Sequence, residues 1–148
     1  MTENVIINAA RISKRVALDE ENGKKLLAEY GIAVPKTVVV PDANSAAAVV
    51  SDLSFPLVVK VVSPDILHKS DAGGVAVGLS DADAVTAAIS EMAEKPIIKS
   101  ANVEGYLIEE MVPAGQELVI GGVRDPQFGP LIMVGLGGIF VEVLADVA

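Results

Sequence analysis

The chain has 148 residues, half of them apolar, and a formal net charge of −9, which excludes disorder and disfavours a polyanionic partner such as nucleic acid. It contains no Cys and one His, so disulfides, thiolate sites and imidazole-rich metal centres are excluded. With three Phe, two Tyr and no Trp there is little aromatic surface for base stacking, and no signal-peptide core or membrane-length apolar run occurs, which reads as a cytoplasmic protein.

In chain order, residues 3–15 read as a short amphipathic helix with Val5, Ile6, Ala9 and Ile12 on one face. Asp19 is placed to cap a helix to about Tyr30, with Glu20 and Glu21 in its first turn and Leu26, Leu27 and Tyr30 on its apolar side. Gly31 ends it. The β-branched run Thr37-Val38-Val39-Val40 predicts a strand, and an alanine-rich helix follows over 43–53. Leu57-Val58-Val59-Lys60-Val61-Val62 reads as a buried strand, then a polar loop leads to Gly73-Gly74 and a strand over 75–79. Asp81 caps a helix to about Ala93.

Strands follow over 105–112, 117–123 and 131–134, the last two joined by the turn Arg124-Asp125-Pro126-Gln127-Phe128-Gly129-Pro130. Gly135, Gly137 and Gly138 break the last of these before a core-quality strand at 139–144. Helices alternate with strands early and strands dominate late, which predicts an α/β (α+β) fold. Residues 1–18 form an N-terminal helical extension and 19–148 the domain proper. A chain stopping just after a buried strand reads as a truncation, or as one piece of a larger assembly.

Three places carry chemistry. Lys60 lies inside an apolar strand; either its stem snorkels to the sheet edge, or its ammonium meets a phosphate in a nucleotide cleft. His68 is a loop histidine, a type most often simply solvated, but its loop is unusual. Asp65 and Asp71 stand ready to orient the imidazole, Lys69 and Ser70 to meet a phosphate, and Gly73 and Gly74 to bring N–H groups near an anion. An imidazole that accepts a phosphoryl group must be neutral at the attacking nitrogen, and a carboxylate on the other nitrogen secures that tautomer.

Third, Glu110 and Glu117 flank a short linker. They read either as ordinary strand-end acids or as parts of a nucleotide hinge, backbone for the adenine edge and a carboxylate for the ribose. The run Gly135-Leu136-Gly137-Gly138 lacks the third glycine and the helix of a Rossmann fingerprint, and no P-loop occurs. Arg124-Asp125 reads as a turn-stabilising pair.

The stretches LLAEYGIAVPKTVVV, FPLVVKVVSPDILHKSDAGGVAVGL and YLIEEMVPAGQELVIGGVRDPQFGPLIMVGLGGIFVEVLADV span roughly residues 19–147. In this order they resemble the ATP-grasp domain of the ADP-forming acyl-CoA synthetases, also called acetate–CoA ligases (ADP-forming), and more distantly succinyl-CoA synthetase β subunits. The HKSDAGG loop and the VRDPQFGP–GLGG block carry the specificity.

The resemblance implies a partial ATP-grasp fold, with mixed sheets flanked by helices, and a reaction interconverting acyl-CoA, ADP and phosphate with free acid, CoA and ATP. It implies that Lys60 contacts phosphate and that His68 carries the phosphoryl group. It also implies that Glu110, Met111 and Val112 form the adenine hinge and that Glu117 binds the ribose. ATP or ADP and Mg2+ are the implied cofactors, and a CoA-binding α-type subunit or domain the implied partner. The family's magnesium ligands, an acidic-Asn-Pro motif and a later Asp, have no match here, so the isolated chain is expected to be inactive. Two other readings stand beside this one: a regulatory, non-catalytic module of an acetyltransferase-type protein, and a truncated chain that forms a homo-oligomer over its open sheet edges.

Overall fold

Acidic and amide caps set four of the helices. In the computed structural model, which describes residues 4–66 and 68–137, Asn4 caps α1 (Val5–Ile12) and Asp19 caps α2 (Glu20–Glu29). Asp42 caps α3 (Ala43–Val49) and Asp81 caps α4 (Ala82–Glu94), each accepting a hydrogen bond from a backbone N–H of the first turn. The helix expected over 43–53 ends earlier, at Val49, and tightens into a 3-10 turn over Val50–Asp52. A short helix not expected from the sequence, α5 (Pro96–Ser100), starts on a proline, which suits a first helical position.

The strands are β1 (Thr37–Val40), β2 (Leu57–Val62), β3 (Val75–Leu79), β4 (Gly105–Glu110), β5 (Leu118–Asp125) and β6 (Gly129–Leu136). They fall into two units, Met1–Val112 and Pro113–Ala148. Strands β1 to β4 form one sheet in the order β1-β4-β2-β3, and every neighbouring pair is antiparallel. Helices mixed with antiparallel sheets give the α+β arrangement expected. The strand expected at 139–144 and Gly138 lie outside the described residues.

Alternation along β2 and β4 separates two faces. Leu57, Val59 and Val61 of β2, with Tyr106 and Ile108 of β4, join Ala46 of α3 and Val85, Ile89 and Met92 of α4 in one apolar core. Val58 and Lys60 of β2 project to the opposite face. So do Leu107 and Glu109, because Lys60 pairs with Leu107 and Val58 with Glu109. Val58 and Leu107 are buried too, so the centre of that second face is also covered.

Helix α2 is different in kind. None of its residues is buried, and Leu27 and Tyr30, expected on its apolar side, are 44% and 75% exposed. Charges, rather than apolar packing, tie its first turn to the sheet.

The second unit is a hairpin. The antiparallel β5–β6 pair turns at Asp125, whose Oδ1 accepts from Gln127 N at 2.8 Å and Phe128 N at 2.9 Å, with Gly129 in the left-handed region. Ile120, Ile132 and Val134 are exposed on it. No helix among the described residues is long and apolar enough to cross a membrane.

Candidate functional site

Lys60 anchors a cluster of three lysines and two glutamates. Its Nζ donates to Oε1 of Glu20 at 2.5 Å and to Oε1 of Glu109 at 3.1 Å. Lys24, one helical turn after Glu20, sits 2.8 Å from the same Glu20 oxygen and also contacts Oε2 of Glu109. Lys69, from the loop that follows β2, adds an ion pair to Oε2 of Glu20 at 3.7 Å. Three ammonium groups thus face two carboxylates, an excess of one positive charge in a chain whose net charge is −9. The bland fate of Lys60, a stem running to open water, is not what the fold provides.

The electrostatics follow from this crowding. Burial pushes the Glu20 carboxyl up, but hydrogen bonds and charge from Lys24 and Lys60 outweigh it and hold the group at about 2. Lys24 goes below its ordinary value, first because burial disfavours the ammonium; the hydrogen bond and charge of Glu20 oppose that shift, and Lys60 and Lys69 add to it. Glu109 is 6% exposed, and its Oε2, although against Lys24, receives no hydrogen bond of good geometry. A cleft of about 390 Å³ opens beside the cluster, lined among others by Arg15, Leu18, Ile66, Glu20 and Lys69.

His68 stands apart from these ion pairs. It is exposed, and its imidazole makes no hydrogen bond to a described residue. Neither expected orienting carboxylate holds it: Oδ2 of Asp65 accepts from Asn102 N at 2.7 Å, and the exposed Asp71 carboxylate makes no hydrogen bond to a described residue. Nor are the glycine N–H groups turned towards an anion: Gly73 N donates to Ser70 O at 3.0 Å and Gly74 N to Lys69 O at 2.7 Å. The two glycines answer a packing need instead. Gly73 has φ +67, and Lys95 Nζ donates to its carbonyl at 2.8 Å. A Cβ on Gly74 would collide with Cγ1 of Val61, whose N–H donates to the Gly74 carbonyl at 2.8 Å.

The expected hinge starts at the end of β4. Oε1 of Glu110 accepts from Ser54 N at 2.8 Å, and Met111 N donates to Pro56 O at 3.2 Å. Met111 and Val112 are exposed. Glu117 belongs to the second unit, where its carbonyl accepts from Gly137 N at 2.9 Å and its side chain is exposed.

A family model described as an ATP-grasp domain matches residues 9–148. The chain belongs to the ATP-grasp domain family. This ATP-grasp domain is 40% identical over 148 residues to the β subunit of ADP-forming acetate–CoA ligase I from Pyrococcus furiosus, covering 97% of the chain and 62% of that subunit. It is 42% identical over 144 residues to the ADP-forming 4-hydroxybutyrate–CoA ligase of Nitrosopumilus maritimus, covering 96% of the chain and 21% of the ligase. The chain therefore spans less than two thirds of either relative.

Acetyl-coenzyme A synthetase 1 of Ca. Korarchaeum cryptofilum, solved with coenzyme A and Ca-AMPCP, superposes with a TM-score of 0.88 at 40% identity, covering 97% of this chain and 63% of that one. A further structure of that synthetase, with coenzyme A, Mg-AMPPCP and its phosphohistidine segment pointing towards the nucleotide-binding site, gives a TM-score of 0.78 at 38% identity, covering 97% and 61%. The resemblance read from the motifs is thereby confirmed: the relatives of this ATP-grasp domain are ADP-forming acid–CoA ligases.

Sequence reasoning placed Lys60 and His68 but overlooked Glu20, Lys24 and Glu109. Glu110 was read as part of the hinge, and strand alternation turns its neighbour Glu109 to the face of Lys60. Lys24 carried a fainter cue, its i, i+4 spacing from Glu20.

Proposed function

We propose that this ATP-grasp domain is the nucleotide-binding component of an ADP-forming acyl-CoA synthetase, and that it passes a phosphoryl group through His68. The observation that carries the reading is the exposed, unbonded imidazole of His68, whose chain neighbour Lys69 is ion-paired to Glu20, which in turn binds Lys60. The phosphohistidine segment of the Korarchaeum synthetase, pointing towards its nucleotide site, supports the same assignment.

In this reading the chemistry begins on a CoA-binding α-type partner. There, phosphate attacks the acyl-CoA carbonyl and CoA leaves as its thiol, giving an acyl phosphate. A neutral nitrogen of His68 attacks the phosphorus; an N–P bond forms, the P–O bond to the acyl oxygen breaks, and the free acid departs. A terminal phosphate oxygen of ADP then attacks the same phosphorus, the N–P bond breaks, and ATP and free imidazole result. Lys60 meets the nucleotide phosphates as a charge-assisted donor. The backbone of Glu110, Met111 and Val112 receives the adenine edge, Glu117 the ribose, and Gly73 and Gly74 shape the arm that bears His68.

Magnesium, when bound, offsets charge between the transferring phosphates. No three acidic or imidazole groups among the described residues converge to hold it, so no step is assigned to a magnesium ligand here. The reactants place the protein in the cytoplasm, and the 148-residue chain alone is expected to be inactive.

The test uses the complete protein together with its CoA-binding partner. His68→Ala should abolish ATP formation from acyl-CoA, ADP and phosphate while leaving the folded state unchanged, because the imidazole makes no bond to a described residue. Undiminished ATP formation in that variant removes His68 from the reaction.

A further inference from the structure

The three ammonium groups of Lys24, Lys60 and Lys69 converge on one carboxylate, and it is not the one the sheet provides. Glu109 is fixed in β4 and buried. Glu20 begins a helix that buries none of its side chains, so its carboxylate is free to leave at little packing cost. Its two oxygens meet the ammonium groups at 2.5, 2.8 and 3.7 Å, the arrangement that phosphate oxygens adopt among lysines.

We propose that Glu20 is a resident anion: its carboxylate occupies a phosphate seat on Lys60, and an incoming phosphate group takes the seat by displacing it. The inference rests on the nucleotide reading above and adds the identity of the group the nucleotide must compete with. Exchange of one anion for another never leaves the three lysines with less negative charge than Glu20 supplies, so the excess positive charge of this half-buried site does not grow as the phosphate enters. Displacement also frees Lys69, the chain neighbour of His68, from its ion pair with Glu20. Occupation of the seat by phosphate and release of the Lys69 side chain beside His68 are thus one event.

The experiment is isothermal titration of the full chain, as wild type, Glu20→Gln and Lys60→Met, with ADP and with inorganic tripolyphosphate as probes. Glu20→Gln keeps the side-chain shape and removes the competing charge. It should bind both probes about ten-fold more tightly than wild type, corresponding to about 1.4 kcal/mol. Lys60→Met should lose that gain when combined with it. A role for Glu20 confined to holding the fold would lower stability without tightening any anion.

Equal or weaker ADP binding by a folded Glu20→Gln variant overturns the proposal and leaves the nucleotide reading in place. Tighter tripolyphosphate binding, with ADP no better than tripolyphosphate in either form, upholds the proposal and sinks the nucleotide reading. Binding of neither probe to any form sinks both. Should Glu20→Gln not fold, Glu20→Asp retains the charge but shortens its reach, and it should still tighten tripolyphosphate by about three-fold; absence of tightening there counts equally against the proposal.

Discussion

Glu20 and Lys60, forty residues apart in the chain, meet at 2.5 Å across the face of the sheet that the core helices leave free. This contact ties the first turn of α2 to the central strand, and it makes that attachment sensitive to pH. Glu20 is held at about 2 against an ordinary value of 4.5, so its contribution to stability is fully present above about 4.5 and is lost as pH falls through about 2. The difference is on the order of 3 kcal/mol. Urea denaturation between about pH 6 and pH 2.5 should therefore show wild type losing on the order of 2–3 kcal/mol more than Glu20→Gln. Parallel curves for the two proteins would contradict the assignment.

The two glutamates at the end of β4 should separate cleanly. Glu109 is buried between Lys24 and Lys60, so Glu109→Gln leaves both ammonium groups short of charge and should cost about 1–3 kcal/mol. Glu110 accepts one backbone hydrogen bond, from the exposed Ser54, at a half-buried position, and Glu110→Gln keeps an acceptor there. Its cost should be about 0.5 kcal/mol or less. Chemical denaturation of the pair decides it, and equal costs would mean the strand register has been misassigned.

Two glycines predict opposite signs. Gly74→Ala drives a methyl group into Val61, which is fully buried in the core, and towards the Lys69 carbonyl at 3.2 Å. It should lose about 1–3 kcal/mol. Gly23 lies within α2 with nothing within 4 Å of an added Cβ, so Gly23→Ala should gain about 0.5–1 kcal/mol through helix propensity. Thermal melts of both variants measure the contrast directly.

Much of this was legible locally. The Asp19 and Asp81 caps, the β-branched run at Thr37–Val40 and the buried β2 follow from short-range chemistry, and the structure has them where the sequence put them. The five-residue α5 is too short to show a periodic signal, and Pro96 was its single cue. The ion-pair cluster was harder for a different reason. Glu109 faces Lys60 only because Lys60 pairs with Leu107, a register that depends on how two distant strands meet. Glu20 looks like an ordinary first-turn acid until α2 is placed against the sheet. Of the apolar side expected for α2, Leu26 is half-buried while Leu27 and Tyr30 are exposed.

The bond between Asp65 and the Asn102 amide fixes a leash length for the only histidine in the chain. His68 is three positions further on, and a chain stretched to its limit advances about 3.6 Å per residue, so its Cα stays within about 11 Å of the Asp65 Cα. While Asp65 stays moored, the imidazole serves donors and acceptors inside that radius extended by the reach of its own side chain; any longer delivery has to begin by casting off from Asn102.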